Sequence, residues 1–419
     1  MTTIKKRTAK LDLKQYGMLM ALVAIIVLFS ILTQGKLIKP MNISNLIFQN
    51  AYVIILAIGM LLCILTGGNI DLACGSVVGL VGACAGTFII EMGWNPYLSI
   101  ILCLLIGIAI GAWQGFWIAY VGIPPFICTL SGMLVFRGIT LLILKGMTLA
   151  PFPVEYQQLS TGFIPDFLAG YMPDLVLFGS KIKSPLCLLV GVLIAVGFCV
   201  MQLVGYMSKK KKGYETQPIA LMVVKMLAIS AVVIWVFFLL SCYRGIPTVL
   251  IILGLLLVVY SFFTQKTVRG RHLYAIGGNM KAARLSGVKT KQMMFFAYTN
   301  MSFIAAIAGL VFAARLNSAA PTAGQSFEMD AIASCFIGGA SAYGGTGTIG
   351  GALIGALIMG VLNNGMSLLG LSTNLQQVVK GLVLLAAVAL DVISKNNLIQ
   401  LPKLKRKSKK KIDPNAVIP

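Results

Sequence analysis

The feature that most constrains this chain is an apolar run that recurs along almost its whole length. A helix needs roughly 20 predominantly apolar residues to cross a hydrocarbon core of about 30 Å. Tyr16–Thr33, Leu46–Thr66, Leu72–Ile90, Leu98–Tyr120 and Phe126–Leu144 read as such crossings. So do Leu186–Tyr206, Ile219–Ser241, Ile246–Phe263, Met293–Ala314 and Leu375–Ile393. Met329–Ala342 and Ile349–Leu369 are apolar but glycine-rich, and they complete the set. The pattern predicts an all-α, polytopic transmembrane bundle of about 12 helices. Composition excludes the soluble alternative. Of 419 residues, 58% are hydrophobic and 11% charged, where a soluble domain carries about a quarter charged. The excess of apolar surface must face lipid. The first run is too long for a cleaved leader, and no small-residue cleavage site follows it in Gln34–Pro40.

A net charge of +23 would suit nucleic acid, but the positions of the charges argue against that partner. Basic residues gather in Lys5–Lys14, Lys209–Lys212, Lys266–Lys291 and Lys395–Lys411. Twelve spans threaded from a cytoplasmic N-terminus put all four clusters, and both termini, on the cytoplasmic side, as the positive-inside rule requires. The opposite side then receives Glu91, Glu155, Asp166, Asp174 and Glu328. The expected organisation is a basic arm (1–15), a membrane domain (16–394) and a basic tail (395–419) that meets anionic headgroups. A Pro- and aromatic-rich extracytoplasmic loop (145–184) is expected to fold against the membrane. A cytoplasmic loop (264–292) is expected to hold a short helix near Met280–Leu285, flanked by glycine stops. Nine cysteines are scattered through apolar runs without a CxxC pair, which suits packing rather than metal or redox chemistry.

Polar interruptions carry the functional signal. Thr66-Gly67-Gly68-Asn69-Ile70-Asp71 breaks two apolar runs. Unwound backbone at membrane depth survives only when buried in protein or lining a wet cavity. Asn69 and Asp71 are therefore pathway candidates, with simple capping of the next helix by Asp71 as the alternative. Arg137 lies inside a span, so it faces the bundle, a water-filled path or an ionic partner. Lys225 and Lys380 sit nearer span ends and are expected to snorkel. Two glycine rows, Gly107/Gly111/Gly115 and Gly347/Gly351/Gly355, suit close helix packing. Gly67-Gly68 with Gly75, and Gly338-Gly339 with Gly347, form a weak internal echo. The GxGxxG letters at Gly345–Gly350 follow no strand and precede no suitably spaced acid, and the chain has no phosphate-binding GxxxxGK[ST]. The single histidine, His272, has no catalytic company. No enzyme activity and no cofactor are expected.

The motifs on these residues resemble those of the permease subunits of ribose/galactose/xylose-type ABC sugar importers. They are Gly67–Leu72 with Gly75-Ser76, Ile123–Ile127 with Thr129-Leu130, Phe136-Arg137-Gly138, and above all Gly270-Arg271, Tyr274–Asn279 and Ala282–Gly287. The resemblance covers most of Leu46–Leu144 and Pro247–Asp391. The enlarged outer loop and two extra spans in Lys145–Ser241 make it similar to the longer xylose-type and multiple-monosaccharide permeases. Ala73-Cys74 stands where a Ser-Val pair is more usual. The resemblance implies a second permease copy, an ATP-hydrolysing subunit beneath and an extracytoplasmic sugar-binding protein. It also implies a coupling loop to the ATPase made of Gly270, Arg271, Tyr274, Gly277, Gly278, Asn279, Ala282, Ala283, Ser286 and Gly287. A topogenic basic loop is the plain alternative. A stand-alone ion-coupled transporter would need intramembrane carboxylates, and Asp71 is nearly the only one the sequence suggests. A membrane-embedded enzyme would need acidic or histidine pairs that are not found.

Overall fold

The computed structural model describes residues 13–168, 176–177, 180–213 and 219–395. The expectations for most of the basic arm, for Asp174 and for the tail beyond Lys395 lie outside these residues. The helices are α1 (Leu13–Leu32), α2 (Pro40–Leu65), α3 (Cys74–Gly86), α4 (Pro96–Phe116) and α5 (Pro125–Leu144). A short α6 (Val154–Thr161) precedes α7 (Pro185–Lys211), α8 (Ile219–Ser241) and α9 (Val249–Lys266). The rest are α10 (Val268–Gly278), α11 (Met280–Leu285), α12 (Thr290–Leu316), α13 (Phe327–Ile337), α14 (Ile349–Leu368) and α15 (Thr373–Lys395). The only strand pairing given a sheet among the described residues is a small hairpin, Val176–Leu177 with Ser180–Lys181. Four spans open with a proline in the first turn: Pro40, Pro96, Pro125 and Pro185. There the missing N–H would have had no helical partner anyway.

Ten helices among the described residues are long and apolar enough to cross a membrane, and α1 adds the shorter apolar stretch Gly17–Leu32. The expected crossing Met329–Ala342 is corrected. Its helix, α13, has 11 residues, about 16 Å at 1.5 Å per residue, half of a hydrocarbon core. The missing half is non-helical chain. Residues 317–326 leave the end of α12, where Ala319 exchanges backbone hydrogen bonds with Leu149 (2.9 and 3.0 Å). They then descend along α3. A Cβ on Gly86 would touch Ala319 (2.8 Å), while Gly324 packs on the backbone of Gly75 at the other end of α3. Eleven helical residues separate those two glycines, so the descent covers about 16 Å. The sequence placed Glu328 on the outer side. The dip carries it to mid-depth, where it is buried against Gly75.

The core is built on α2, which is apolar all round and buried on every face from Asn50 to Thr66. It packs against α12, α13, α14 and α9. Both glycine rows are close-approach sites, as expected. On α4, a Cβ at Gly107 would be 3.0 Å from Ser302 O, at Gly111 2.7 Å from Thr299 O, and at Gly115 3.0 Å from Phe295 O, all on α12. On α14, Gly351 and Gly355 press on Gly338 and the Ser334 carbonyl of α13. In lipid no hydrophobic drive pulls helices together, so backbone proximity is what packing has to offer. Seven of the nine cysteines are buried. The outer loop is a folded lobe. Tyr156 on α6 donates to Leu310 O (3.1 Å) and Asn317 Oδ1 accepts from Phe152 N–H (2.8 Å).

Gly111→Leu should remove the monodisperse peak of the detergent-purified protein in size-exclusion chromatography. Gly138→Leu, whose Cβ meets nothing within 4 Å, should leave that peak unchanged.

Candidate functional site

Two glycine elbows meet on the face of the bundle that carries Lys266–Lys291. The first, 66–73, turns from the end of α2 into α3. The second, 338–348, turns from α13 into α14. Each turn needs left-handed backbone that glycine adopts without strain: φ is +124° and +75° at Gly67 and Gly68, and +81° and +70° at Gly344 and Gly345. The elbows interlock, with Gly68 packed on the Ala342 carbonyl and a Cβ on Gly344 2.5 Å from Gly67 Cα. Their backbone groups are satisfied locally. Gly345 N–H donates to Leu65 O (3.2 Å), Ser341 N–H to Thr346 O (3.0 Å), and Thr348 Oγ1 caps α14 by accepting from Gly351 N–H (3.0 Å). The GxGxxG letters are thus elbow and helix cap.

The helix pair α10–α11 lies across these elbows. Thr267 caps α10 by accepting from Gly270 N–H (3.0 Å), and Asn279 caps α11 by accepting from Ala282 N–H (3.0 Å). Serine and glycine at 286 and 287 end α11, with Gly287 at φ +85°. The expected helix at Met280–Leu285 is present with those bounds, preceded by α10, which the sequence did not reveal. The ten residues of the expected coupling loop divide in two. Gly270, Tyr274, Gly277 and Ala283 face inward. Gly270 packs on the end of α9, and Gly277 on Leu65 O and the Gly345 backbone. Ala283 is buried. Tyr274 donates its hydroxyl to Gly347 O (2.9 Å), and burial raises its phenol above the ordinary pKa, so the proton stays on. Arg271, Gly278, Asn279, Ala282, Ser286 and Gly287 are exposed. So is Leu285, at 89%. The sequence reading passed over this leucine. The available signal was an isolated large apolar residue on a short polar helix.

The three pathway candidates do not gather at one point. Asn69 is half-buried in the first elbow and donates to Thr66 O (3.3 Å) and Thr66 Oγ1 (3.2 Å). Asp71 is fully buried, and its Oδ1 accepts from Ala73 N–H (2.8 Å) at the start of α3. Arg137 donates to the carbonyls of Ala323 (2.8 Å) and Pro321 (3.5 Å) in the dipping segment. It braces non-helical backbone whose carbonyls have no helical partner at that depth.

A second charged group was not legible. Asp330, in the first turn of α13 and 1% exposed, forms an ion pair with Lys380 of α15 (3.0 Å). It also accepts from Tyr52 of α2 (3.0 Å), whose ring stacks on Phe327 (3.9 Å between centroids). Lys380 therefore does not snorkel, because a carboxylate on the neighbouring half-helix is nearer than the headgroups. Lys225 is exposed on α8. Intramembrane ionisable residues pair in this way when they face the bundle. The pair joins the peripheral α15 to α13 and α2 in the core.

The family model described as branched-chain amino acid transport system / permease component matches residues 42–388. The xylose transport system permease protein XylH of Escherichia coli K12 is 37% identical over 385 residues, which is 92% of this chain and 93% of that one. The protein of the same name in Haemophilus influenzae is 36% identical over 387 residues, 92% and 98% of the two chains. The ribose import permease protein RbsC of Bacillus subtilis is 35% identical over 379 residues, 90% and 93%. No solved structure matches.

Lys380→Met should lower the apparent melting temperature in detergent, because it strands a buried carboxylate at a cost of about 3–5 kcal/mol. The double variant Lys380→Met/Asp330→Asn should recover much of that loss. Additive losses would show that the two side chains do not interact.

Proposed function

Because the chain belongs to the branched-chain amino acid transport system / permease component family, we propose that it is the multi-pass permease subunit of an ATP-driven importer for a monosaccharide such as xylose. Xylose and ribose are the sugars named for its relatives, and the xylose permeases match over more than nine-tenths of both chains. The relatives are transport permeases, and this chain is assigned no covalent chemistry. Two copies in the cytoplasmic membrane enclose the path, an ATPase subunit docks on the α10–α11 face, and an extracytoplasmic binding protein delivers the sugar to the outer lobe.

The observation that carries this reading is the two-sided build of α10–α11. Its outward side offers small residues, an uncovered leucine and three arginines (Arg269, Arg271 and Arg284), the chemistry of a helix that seats in a partner's groove and is steered there by charge. Its inward side has no slack, because Gly277 lies directly on the end of α2 and on the second elbow, and Tyr274 holds Gly347. A push on the platform therefore reaches the start of α3 and of α14 together. Asn69 and Asp71 stiffen the first elbow, and Arg137 stiffens the dipping segment at the far end of that linkage. In this scheme ATP binding and hydrolysis bias a pre-existing equilibrium between inward- and outward-open forms through differential contacts at the platform.

Gly278 has open space around it, so Gly278→Arg should insert and fold normally. In cells producing the ATPase and binding protein but no other xylose uptake, it should abolish accumulation of labelled xylose. Undiminished uptake would remove α10–α11 from coupling. Uptake without any ATPase would favour the ion-gradient mechanism instead.

A further inference from the structure

The α7–α8 hairpin stands partly off the body. Its helices pack mainly on each other, and it touches the rest through α2 and a small buried cluster of Cys187, Leu240 and Ile246. Between hairpin and body lies a crevice of about 560 Å³, walled by α2, α7, α8, α9 and α14. Asn50 is the one polar side chain in the wall, and its amide nitrogen is committed to Ala356 O (2.8 Å). We propose that this crevice is a binding site for one acyl chain of a phospholipid, taken from the leaflet opposite the basic face.

Three observations point to that occupant. The first is depth. Lining residues run from Leu46 to Ile54 on α2 and from Leu250 to Leu257 on α9, about 12 Å by helical rise. Ile164 and Ile246 extend the wall above them. One leaflet contributes about 15 Å to a core of about 30 Å. The second is volume. At about 560 Å³ the space is on the scale of a run of methylenes, each with a share similar to the roughly 30 Å³ of a water in the liquid. That is one fatty chain, and too little for another helix. The third is charge at the mouth. Arg244 lies 5.8 Å over the rings of Phe163 and Tyr243, beside the lining residues Ile164 and Ile246. Exposed Lys183 is bound through its backbone N–H to Ser241 O (2.9 Å) at the adjoining end of α8. Two cations above an apolar slot match a phosphate above an acyl chain. An empty slot would forfeit dispersion contacts on every wall, and hydrocarbon is the solvent at hand. The lipid completes the packing of the α7–α8 hairpin against the body.

The test is native mass spectrometry of the complete transporter extracted in a mild detergent. Wild type should retain one phospholipid per permease chain. Gly254→Phe, built into open space on the crevice wall, should lose it. Arg244→Gln should keep a lipid but lose any preference for anionic headgroups. Reconstitution with a phospholipid bearing a photoreactive acyl chain tests the wild type without a substitution. Labelling at Val190, Phe237 and Leu250 should exceed that at lipid-facing Leu142 several-fold. Wild type without a retained phospholipid, equal retention in Gly254→Phe, uniform labelling, or a co-purifying polypeptide labelled at these positions would each overturn the proposal.

Discussion

A bilayer cannot solvate a peptide bond. Each interruption of a helix inside it must find its hydrogen bonds within the protein, and the arrangement of this chain follows from how four interruptions are answered. The two elbows answer each other, with Gly345 bonded to Leu65 O and Ser341 to Thr346 O. The dipping segment 317–326 is answered by Arg137, which reaches from α5 to its carbonyls. The start of α3 is answered by Asp71. These are costly features for a passive scaffold. A continuous helix through residues 317–337 would satisfy its own backbone. They concentrate along one line, from platform to elbow to dip.

That line also explains where charge is tolerated. Glu328 and Asp330 open the half-helix α13 at mid-depth, where the N-terminal end of a helix favours negative charge. Asp330 is matched by Lys380 and Tyr52. The pair ties α15, none of whose described residues is buried, to α13, a helix half the usual length.

Much of the fold was legible because the bilayer imposes simple rules. Run length marked eleven of the helices, glycine spacing marked the close-packing rows of α4 and α14, and the flanking glycines marked the bounds of α11. Met329–Ala342 misled because an apolar run records burial, not helicity. Residues 317–326 find hydrogen-bond partners in Leu149 and Arg137, so half of the crossing needs no helix. Lys380 misled for a related reason. Distance along a span says how near the headgroups lie, but not that Asp330, fifty residues away in sequence, is nearer. The coupling motif was legible as a motif, whereas its division into an inward and an outward side was not. Gly277 and Gly278 are adjacent letters, yet one sits on Leu65 O and the other faces open space.

The central claim is that the α10–α11 platform is the seat of an ATPase on the inner face of the membrane. Cysteine introduced at Ser286 in an otherwise cysteine-free chain tests it with a membrane-impermeant maleimide. The account predicts no labelling in intact cells, rapid labelling in inverted vesicles stripped of peripheral subunits, and protection when the ATPase subunit is restored. Labelling from the outside of intact cells, or labelling indifferent to the ATPase, would contradict it.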